Sequence, residues 1–355
     1  MRIPQYDMTI FDERRKILTQ KIKGSTLVLA AHPEMIRNGD VHHAYRQDSS
    51  FFYLTGFEEA NAIFVFRPGH TPETVMFVQP RDPGMETWTG FRYGPENAKK
   101  YFRIEQTYTI SQINEELPKL LKDTDKVYYS LFVNREVDAT LLRIINEISL
   151  ARSRTNKGNL TIEDSRPLIG EMRIKKTQQE LMQLKKACDI SAAAHVEVMR
   201  SVKPGVNERA LHGVFLKAIM ERGCAREGYG SIVATGVNAT TLHYVFNDQV
   251  CRDGDMILVD AGGEFNYFTG DITRTYPVNG KFNTTQKRVY QKILNLQKNL
   301  IAAVKPGMTR EGLQKEAIDG LTEIMLEEKL LIGKKETLIE NKDYFKFYPH
   351  GVGHW

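Results

Sequence analysis

Two aspartates in the second half of the chain, Asp260 and Asp271, stand where a pair of carboxylates could bind a cation. An apolar, partly β-branched run ends at Asp260, a Gly-Gly pair follows, and Asp271 opens a second β-rich run. A hairpin with its tip at Phe265-Asn266 would place the two carboxylates directly opposite each other, with Cβ atoms roughly 5 Å apart. Carboxylates this close repel unless they share a proton or a metal ion. The alternative is that both aspartates cap strand ends in solvent.

Three histidines are the candidate partners of this pair: His243, His350 and His354. Two carboxylates with imidazole suit a divalent ion such as manganese, cobalt or zinc, and carboxylates that bridge two ions can generate a nucleophilic hydroxide. The proline and glycines around His350 and His354 argue against a helix there. Taken singly, each histidine could equally be a loop or core residue. Motifs of other chemistries, such as Gly-x-Ser-x-Gly, a Walker loop or Gly-x-Gly-x-x-Gly after a strand, are absent from the sequence.

The first 150 residues predict an α/β domain of their own, because strand and helix patterns alternate. The predicted helices are 9–23, 96–102, 110–122 and 134–150, and the predicted strands are 25–31, 50–57, 62–66 and 74–78. Trp88 lies in a polar, glycine-flanked segment that predicts a loop, and aromatic residues in loops are typical of recognition surfaces. Residues 152–167 are polar and poor in apolar side chains, which favours a linker.

The second half of the chain contains an internal repeat. Val-Lys-Pro-Gly at 202–205 recurs at 304–307, and each copy lies between two predicted helices. These helices are 177–201 and 207–222 in the first copy, and 284–303 and 310–328 in the second. The first copy continues into a strand, 231–236, and the aspartate hairpin, whereas the sequence ends before any counterpart of that hairpin. We therefore expect the repeat to stop in mid-domain.

The composition is that of an ordinary globular protein, with 41% hydrophobic and 26% charged residues among 355 and a formal charge of +5. Basic residues are interspersed with acids and form no stripe with aromatics, which argues against nucleic acid as a partner. The three cysteines, Cys188, Cys224 and Cys251, fit no disulfide or zinc pattern. No signal peptide or membrane-length apolar run is evident, so we expect no membrane partner and a cytoplasmic location.

Several motifs resemble the signature of the proline-specific metallopeptidases with the pita-bread fold. They are Leu242-His243-Tyr244, Asp253-Gly254-Asp255 leading to Val259-Asp260-Ala261-Gly262, Gly270-Asp271-Ile272-Thr273-Arg274-Thr275, and His350-Gly351-Val352-Gly353-His354-Trp355. The run from Arg46 to Phe57 resembles the amino domain of bacterial Xaa-Pro aminopeptidases (aminopeptidase P). The similarity covers essentially the whole chain.

This resemblance implies an α/β (α+β) protein with two domains. Residues 1–165 would form an amino-terminal domain of the creatinase/prolidase type, and residues 170–355 a pita-bread catalytic domain with an internal pseudo-two-fold repeat and an incomplete second half. Asp260 would chelate one ion of a manganese (Mn²⁺) pair, Asp271 would bridge both ions, and His354 would bind the other. His243 and His350 would contact substrate and stabilise the tetrahedral intermediate.

The resemblance also implies further contacts. Tyr229 and Trp88 would line the substrate cleft, with Trp88 reaching a neighbouring subunit of a homo-oligomer. An arginine of the amino domain, either Arg152 or Arg154, would approach the site. Family members carry another histidine and two glutamate ligands beyond the His-Gly-x-x-His-Trp motif, and nothing follows Trp355 here. We therefore expect a chain ending there to bind metal weakly, which makes its own activity doubtful.

The implied activity is hydrolysis of the bond between any N-terminal residue and a following proline, by attack of a metal-bridging hydroxide on peptides with proline in second position. Two alternatives stay open. One is a dipeptidase restricted to Xaa-Pro, which a tripeptide substrate would distinguish. The other is a non-catalytic pita-bread module used for binding, favoured by the missing ligands and disfavoured by the presence of Asp260, Asp271 and His354. A creatinase-like amidinohydrolase is less favoured, because that branch works without these ligands.

Overall fold

The computed structural model describes residues 6–155 and 157–354. The chain divides into two compact units, Met1–Lys176 and Thr177–Trp355, and each is described by itself. No helix in the described ranges has both the length and the apolar character needed to cross a membrane.

The first unit is a mixed α/β domain. Its elements in chain order are α1 (Thr9–Lys21), β1 (Thr26–Ala30), β2 (Ile36–Asn38), β3 (Val41–His42), α2 (Ser49–Thr55), β4 (Ile63–Phe66), β5 (Thr74–Val78), α3 (Pro83–Thr89), α4 (Gly94–Phe102), β6 (Gln106–Thr109), α5 (Ile113–Leu121), β7 (Lys126–Tyr128), α6 (Arg135–Arg152), β8 (Thr161–Glu163) and α7 (Ser165–Ile174). A six-stranded sheet has the order β6-β5-β4-β1-β7-β8, and β2 pairs with β3. Antiparallel pairing joins β1, β4 and β5, and parallel pairing adds β6, β7 and β8.

Both faces of this sheet are buried. Successive side chains of its central strands point to opposite faces, and each face packs against helices. Leu27, Leu29 and Phe64 belong to one apolar cluster with residues of α1, α2, α4 and α7. Val28 and Ile63 belong to a second cluster with residues of α5 and α6. The continuous apolar runs of the central strands therefore reflect helices on both faces of the sheet.

The prediction of a strand over residues 50–57 was wrong, since the run forms α2. Asp48 caps this helix by accepting hydrogen bonds from the amides of Ser50 and Phe51, at 2.9 and 2.8 Å. Gly56 ends it in the left-handed conformation, φ 67°. Phe51 and Leu54 are buried on all sides, so the run lacks the polar face that distinguishes a helix from a buried strand.

Two other predictions for the first unit differ from the structure. Trp88 lies in the short helix α3, which begins after the Asp82 cap, and not in a loop. Residues 152–167, which their composition favoured as a linker, contain β8 and the start of α7. β8 is one of the two edge strands of the six-stranded sheet, and an edge strand can be polar because its outer edge meets solvent.

The second unit carries the aspartate hairpin. Its elements are α8 (Gln178–Ser201), α9 (Glu208–Glu221), β9 (Arg226–Glu227), β10 (Ile232–Thr235), β11 (Met256–Ala261), β12 (Gly263–Phe265), β13 (Phe268–Thr269), β14 (Ile272–Pro277), α10 (Thr284–Ala303), α11 (Arg310–Glu327) and α12 (Lys335–Glu340). Short 3₁₀ helices occur at Ile110–Gln112 in the first unit, and at Gly236–Thr240 and Asp343–Lys346 in the second. One three-stranded sheet has the order β10-β11-β14 and the other β13-β12-β9. α8 and α9 pack on the first sheet through a cluster that includes Ala194, Phe215 and Val259.

The internal repeat is confirmed at the level of its helices. The pairs α8/α9 and α10/α11 have the predicted positions, and Gly205 and Gly307 occupy equivalent turns with φ of 88° and 93°. Only glycine adopts this backbone conformation without strain, which explains its place in both copies of the motif.

A carboxylate clamp joins the two helices of the second copy. Arg288 and Lys292 on α10 each lie 2.7 Å from the Glu328 carboxylate, directly after α11. Their hydrogen bonds lower the pKa of Glu328 to about 2, from an ordinary value of 4.5. The stabilisation is therefore fully present above about pH 4.5 and is lost as pH falls toward 2.

We expect the variant E328Q to be less stable than the unmodified protein by a constant amount above about pH 5, and this difference to shrink as pH falls from 4.5 toward 2 (urea unfolding), where the carboxylate of Glu328 is itself protonated. The neighbouring Glu327, whose side chain is 52% exposed, pairs with Lys292, so E327Q serves as the matched control. Parallel acid limbs for E328Q and the unmodified protein would contradict the clamp.

Candidate functional site

The aspartate hairpin forms, but in a register different from the predicted one. β11 and β14 pair antiparallel with Asp260 opposite Thr273. The tip lies at Asn266-Tyr267, one residue later than predicted, and both residues have positive φ, 49° and 67°. Two left-handed residues in succession are typical of a type I′ turn, which matches the twist of the strands. A shift of two partner positions keeps Asp271 on the same face as Asp260, now diagonally across the hairpin.

The hairpin packs against helix α8. Ser191 Oγ accepts a hydrogen bond from Gly263 N at 2.9 Å, and His195 Nε2 lies 3.0 Å from the carbonyl oxygen of Ala261. A Cβ atom on Gly270 would meet the carbonyl oxygen of Ala187 at 2.5 Å, so only glycine fits there. Burial lowers the pKa of His195, so its imidazole is neutral and donates from Nε2 to that carbonyl.

Tyr229 joins the two carboxylates. Its hydroxyl lies 2.6 Å from Asp260 Oδ1 and 3.0 Å from Asp271 Oδ1. Burial first, and then the hydrogen bond to Asp260, raise the pKa of Tyr229 well above its usual value, so the hydroxyl keeps its proton. The single hydroxyl proton can be donated to only one carboxylate at a time. The negative charge of the Asp260–Asp271 pair is therefore only partly compensated. Such a pair is suited to a cation.

His354 approaches Asp271 at its second oxygen. Its Nε2 lies 3.5 Å from Asp271 Oδ2, whereas Oδ1 of Asp271 accepts the hydrogen bond from Tyr229. The two oxygens of Asp271 thus face different side chains. The three ligands are adjacent but do not close around one point, since the described residues contain no group of three or more His, Cys, Asp or Glu side chains arranged to hold an ion. The chemistry of the donors fits a divalent metal, although their positions do not enclose one.

His243 lies on a loop that two buried side chains pin in place. Glu208, fully buried at the start of α9, accepts hydrogen bonds from Thr235 N at 2.7 Å and Gln249 N at 3.0 Å. Tyr244 Oη, beside His243, donates to the same carboxylate at 2.8 Å. Asn247 holds the loop further along, because its side chain accepts from Val233 N and donates to Ser231 O. His243 itself is exposed.

His350 belongs to the segment that leads to His354. Its Nδ1 lies 2.7 Å from the carbonyl oxygen of Gly351, and Val352 N donates to Gln314 Oε1 on α11 at 2.7 Å. Within the described ranges neither His350 nor His243 has a hydrogen bond or ion pair with Asp260 or Asp271. The structure thus brings Asp260, Asp271, His354 and Tyr229 together. The other two histidines lie on anchored segments and, in the part of the chain that the structure describes, make no hydrogen bond or ion pair with the two aspartates.

The candidates in the first unit have contrasting environments. Trp88 is 85% exposed on α3. Arg152 is buried, and one guanidinium nitrogen donates to the carbonyl oxygens of Lys122 and Thr124, at 2.6 and 2.7 Å. These bonds hold Arg152 inside its own domain. Arg154 is exposed, so it becomes the better candidate for the arginine implied by the family resemblance.

The buried residues that position the site were missed by sequence reasoning. Glu208, Ser191 and His195 each act on backbone that lies tens of residues away. The only sequence signal was the spacing of Ser191 and His195, four residues apart on a predicted helix and therefore on one face.

Two family models match the chain. "Metallopeptidase family M24" covers residues 182–355 and "Aminopeptidase P, N-terminal domain" covers residues 11–128. The Xaa-Pro aminopeptidase of Haemophilus influenzae is 37% identical over 348 residues, which is 97% of this chain and 78% of that protein. The chain belongs to the Xaa-Pro aminopeptidases of this metallopeptidase family.

Other relatives and solved structures agree with this assignment. The Xaa-Pro aminopeptidase of Escherichia coli is 32% identical over 97% of this chain and 79% of its own length. The structure of Pseudomonas aeruginosa aminopeptidase PepP has a TM-score of 0.94 at 34% identity, over 99% of this chain and 80% of that one. Zn-substituted E. coli aminopeptidase P in complex with product has a TM-score of 0.93 at 32% identity, over 99% and 80%.

These matches confirm the predicted fold, an aminopeptidase P amino-terminal domain followed by a pita-bread domain. They also confirm the predicted class of enzyme, a metal-dependent Xaa-Pro aminopeptidase. Membership of this family implies a divalent metal ion as cofactor.

Proposed function

We propose that this protein removes the N-terminal residue from peptides with proline in second position, at a metal site formed by Asp260, Asp271 and His354. The observation that carries the proposal is the position of Asp271, whose Oδ1 shares the Tyr229 hydroxyl with Asp260 while Oδ2 lies 3.5 Å from His354. A carboxylate whose two oxygens face different neighbours in this way is suited to bridging a pair of ions. A divalent ion bound there would activate water and polarise the scissile carbonyl.

We propose manganese as the physiological ion. Two aspartates and one imidazole form an oxygen-rich donor set, which suits manganese better than thiolate-rich sites do. The three cysteines are free thiols, and none of them forms a metal-binding group with other side chains in the described residues, so no sulfur donor is in place for a softer metal.

Other residues of the chain would position the ligands, contact the substrate and stabilise the oxyanion. Tyr229 holds the two carboxylates at a fixed separation through its hydroxyl. We assign substrate contact and stabilisation of the developing oxyanion to His243 and His350, which lie exposed on anchored segments. An imidazole on a segment held by hydrogen bonds loses little conformational freedom when it meets substrate.

We extend the proposal to Trp88, Arg154 and the assembly of the protein. The exposed indole of Trp88 offers a large apolar surface to a peptide or to a second copy of the chain. Arg154 is the candidate for pairing with a substrate carboxylate, because Arg152 is held within its own domain. A homo-oligomer in the cytoplasm is part of this proposal.

A substrate series tests the activity. We expect the manganese-loaded protein to release the N-terminal residue from a tripeptide Xaa-Pro-Xaa, and not from the same tripeptide with alanine in place of proline. We also expect a chelator to abolish release and added Mn²⁺ to restore it more fully than Zn²⁺. Cleavage of Xaa-Pro alone would instead support the dipeptidase. Binding of the tripeptide without any cleavage would support the non-catalytic module.

A further inference from the structure

Tyr229 lies at the apex of a short turn that is braced by a carboxylate from one side. Glu227 and Ser231 flank it, two residues before and two residues after. Glu227 Oε2 accepts a hydrogen bond from Ser231 Oγ at 2.7 Å and lies 3.0 Å from His212 Nε2 on α9. The bond between residues 227 and 231 closes the turn, and the bond to His212 fastens it to a helix.

The backbone of the same turn is fixed against the hairpin. Gly228 N donates to the carbonyl oxygen of Gly262 at 2.8 Å, and β9 pairs with β12 through Glu227 and Gly263. A Cβ atom on Gly228 would lie 2.4 Å from the Thr269 side chain. The turn therefore lies close against the backbone that joins Asp260 to Asp271, and movement of its base moves the Tyr229 hydroxyl relative to both carboxylates.

We propose that Glu227, held by His212 and Ser231, is a positioning residue that places the Tyr229 hydroxyl between Asp260 and Asp271 and so prepares the pair for metal. The proposal rests on the metal site described under the proposed function. Glu227 touches neither carboxylate by any hydrogen bond in the described structure, so its effect passes through Tyr229.

The chemistry of the brace supports this role. An ionised carboxylate only accepts hydrogen bonds, so His212 Nε2 carries the proton that it donates. Burial tends to raise the pKa of Glu227, but the hydrogen bonds from His212 and Ser231 outweigh it and lower that pKa overall. Loss of the carboxylate would leave Ser231 Oγ, on a residue only 1% exposed, without this acceptor. The turn would then be free to relax.

The first test uses the metal-free protein and so does not depend on catalysis. Tyrosines labelled with ¹³C at Cζ report the hydrogen bonding of each hydroxyl by NMR, and the Tyr229 signal is assigned by its loss in Y229F. We expect E227A to move this signal toward that of a solvent-exposed tyrosine, and E227Q, which keeps an acceptor oxygen, to leave it largely in place. An unmoved Tyr229 signal in E227A would overturn the proposal, whatever the protein does with peptides.

The second test is a double-mutant cycle measured as Mn²⁺ affinity by calorimetry. We expect E227A to weaken Mn²⁺ binding about tenfold, the range found for residues that orient metal ligands, and E227Q to recover most of that affinity. In a Y229F background the E227A loss should shrink below about twofold. Equal losses in both backgrounds would mean a general structural role and would overturn the proposal.

A third variant and the NMR result distinguish failure of the Glu227 proposal from failure of the proposed function. Should E227A fail to fold, H212A removes one donor from the outer side of the brace, with an expected loss of about fivefold that must again vanish in Y229F. A parent protein that binds no Mn²⁺ would contradict the proposed function, while the NMR comparison would still decide whether Glu227 positions Tyr229.

Discussion

Replacing Asp271 with asparagine is expected to lower Mn²⁺ affinity and peptidase turnover by about a thousandfold, since a metal ligand that also supports the nucleophile contributes several kcal/mol. Asparagine keeps the shape of the side chain and its position diagonally across from Asp260. It removes the negative charge, and it replaces one oxygen with an amide group that cannot ligate a cation. Because Oδ1 accepts a hydrogen bond from the Tyr229 hydroxyl and Oδ2 faces His354, either orientation of the amide places its NH₂ group at one of these two positions.

The same change at Asp260 is expected to have a smaller effect on affinity, about a hundredfold, because the role proposed for this carboxylate is to bind one ion and not to bridge two. The matched control is D253N. Asp253 is exposed at the other end of β11 and accepts a hydrogen bond from Asn279 at 2.8 Å, which asparagine can also accept. Metal titration by calorimetry, with thermal unfolding as a check on folding, measures all three variants. A D271N protein that binds Mn²⁺ as tightly as D253N would contradict the bridging role.

The hairpin illustrates what the sequence could and could not predict. Apolar runs ending at carboxylates indicated two strands, and the requirement for opposed side chains indicated one shared face. The register depends on the turn, and Asn266-Tyr267 is a rare choice because a bulky tyrosine is strained at φ 67°. Contacts behind the turn, such as Asn266 Nδ2 with Gln183 Oε1 on α8 at 2.9 Å, stabilise it. These contacts join residues far apart in sequence and leave no local pattern.

Helices with caps were predicted well, because their signals are local. Thr177 and Glu180 form a capping box at the start of α8, where the predicted helix also begins. α2 shows the limit of such reasoning. Its cap, Asp48, and its terminal glycine, Gly56, were both present in the sequence, but a fully buried run of aromatic and aliphatic residues also fits a central strand. Because α2 is packed on both sides, its sequence lacks the alternation of apolar and polar residues that would have distinguished a helix from a strand.

Sequence reasoning named candidate ligands for the site but not the residues that support them. The family resemblance proposed Asp260, Asp271 and His354 as ligands, and the structure brings these three residues into one neighbourhood. It suggested Tyr229 as a substrate contact, and the structure adds that its hydroxyl bonds both carboxylates. The glutamate Glu208 had no signal at all, because a charged residue at the start of a helix is ordinarily solvated and favoured there by the helix dipole.

Removal of the Glu208 carboxylate is expected to destabilise the second unit by about 3–5 kcal/mol, the range for breaking a buried hydrogen-bonded charge. In E208L three donors lose their acceptor: the amides of Thr235 and Gln249 and the hydroxyl of Tyr244. Leucine fills much of the volume but cannot accept a hydrogen bond. Each unsatisfied buried donor costs about 1–3 kcal/mol. The Tyr244 hydroxyl still reaches Asp248 Oδ1 at 3.2 Å, so we expect the sum to lie at the lower end of what three such donors would cost.

We expect the loss of stability in E208L to appear first as local unfolding, because Glu208 joins β10 to the loop that carries His243. Hydrogen–deuterium exchange should accelerate at least about a hundredfold in residues 236–250 of E208L, because their opening becomes easier by the same free energy. The matched control is E221Q at the other end of α9, where an exposed Glu221 pairs with Lys217 at 2.8 Å and contributes little to stability because solvent screens the pair. Peptidase activity of E208L should fall further than its folded fraction, because the His243 segment loses its anchor. Unchanged exchange in residues 236–250 would show that Asn247 alone holds the loop.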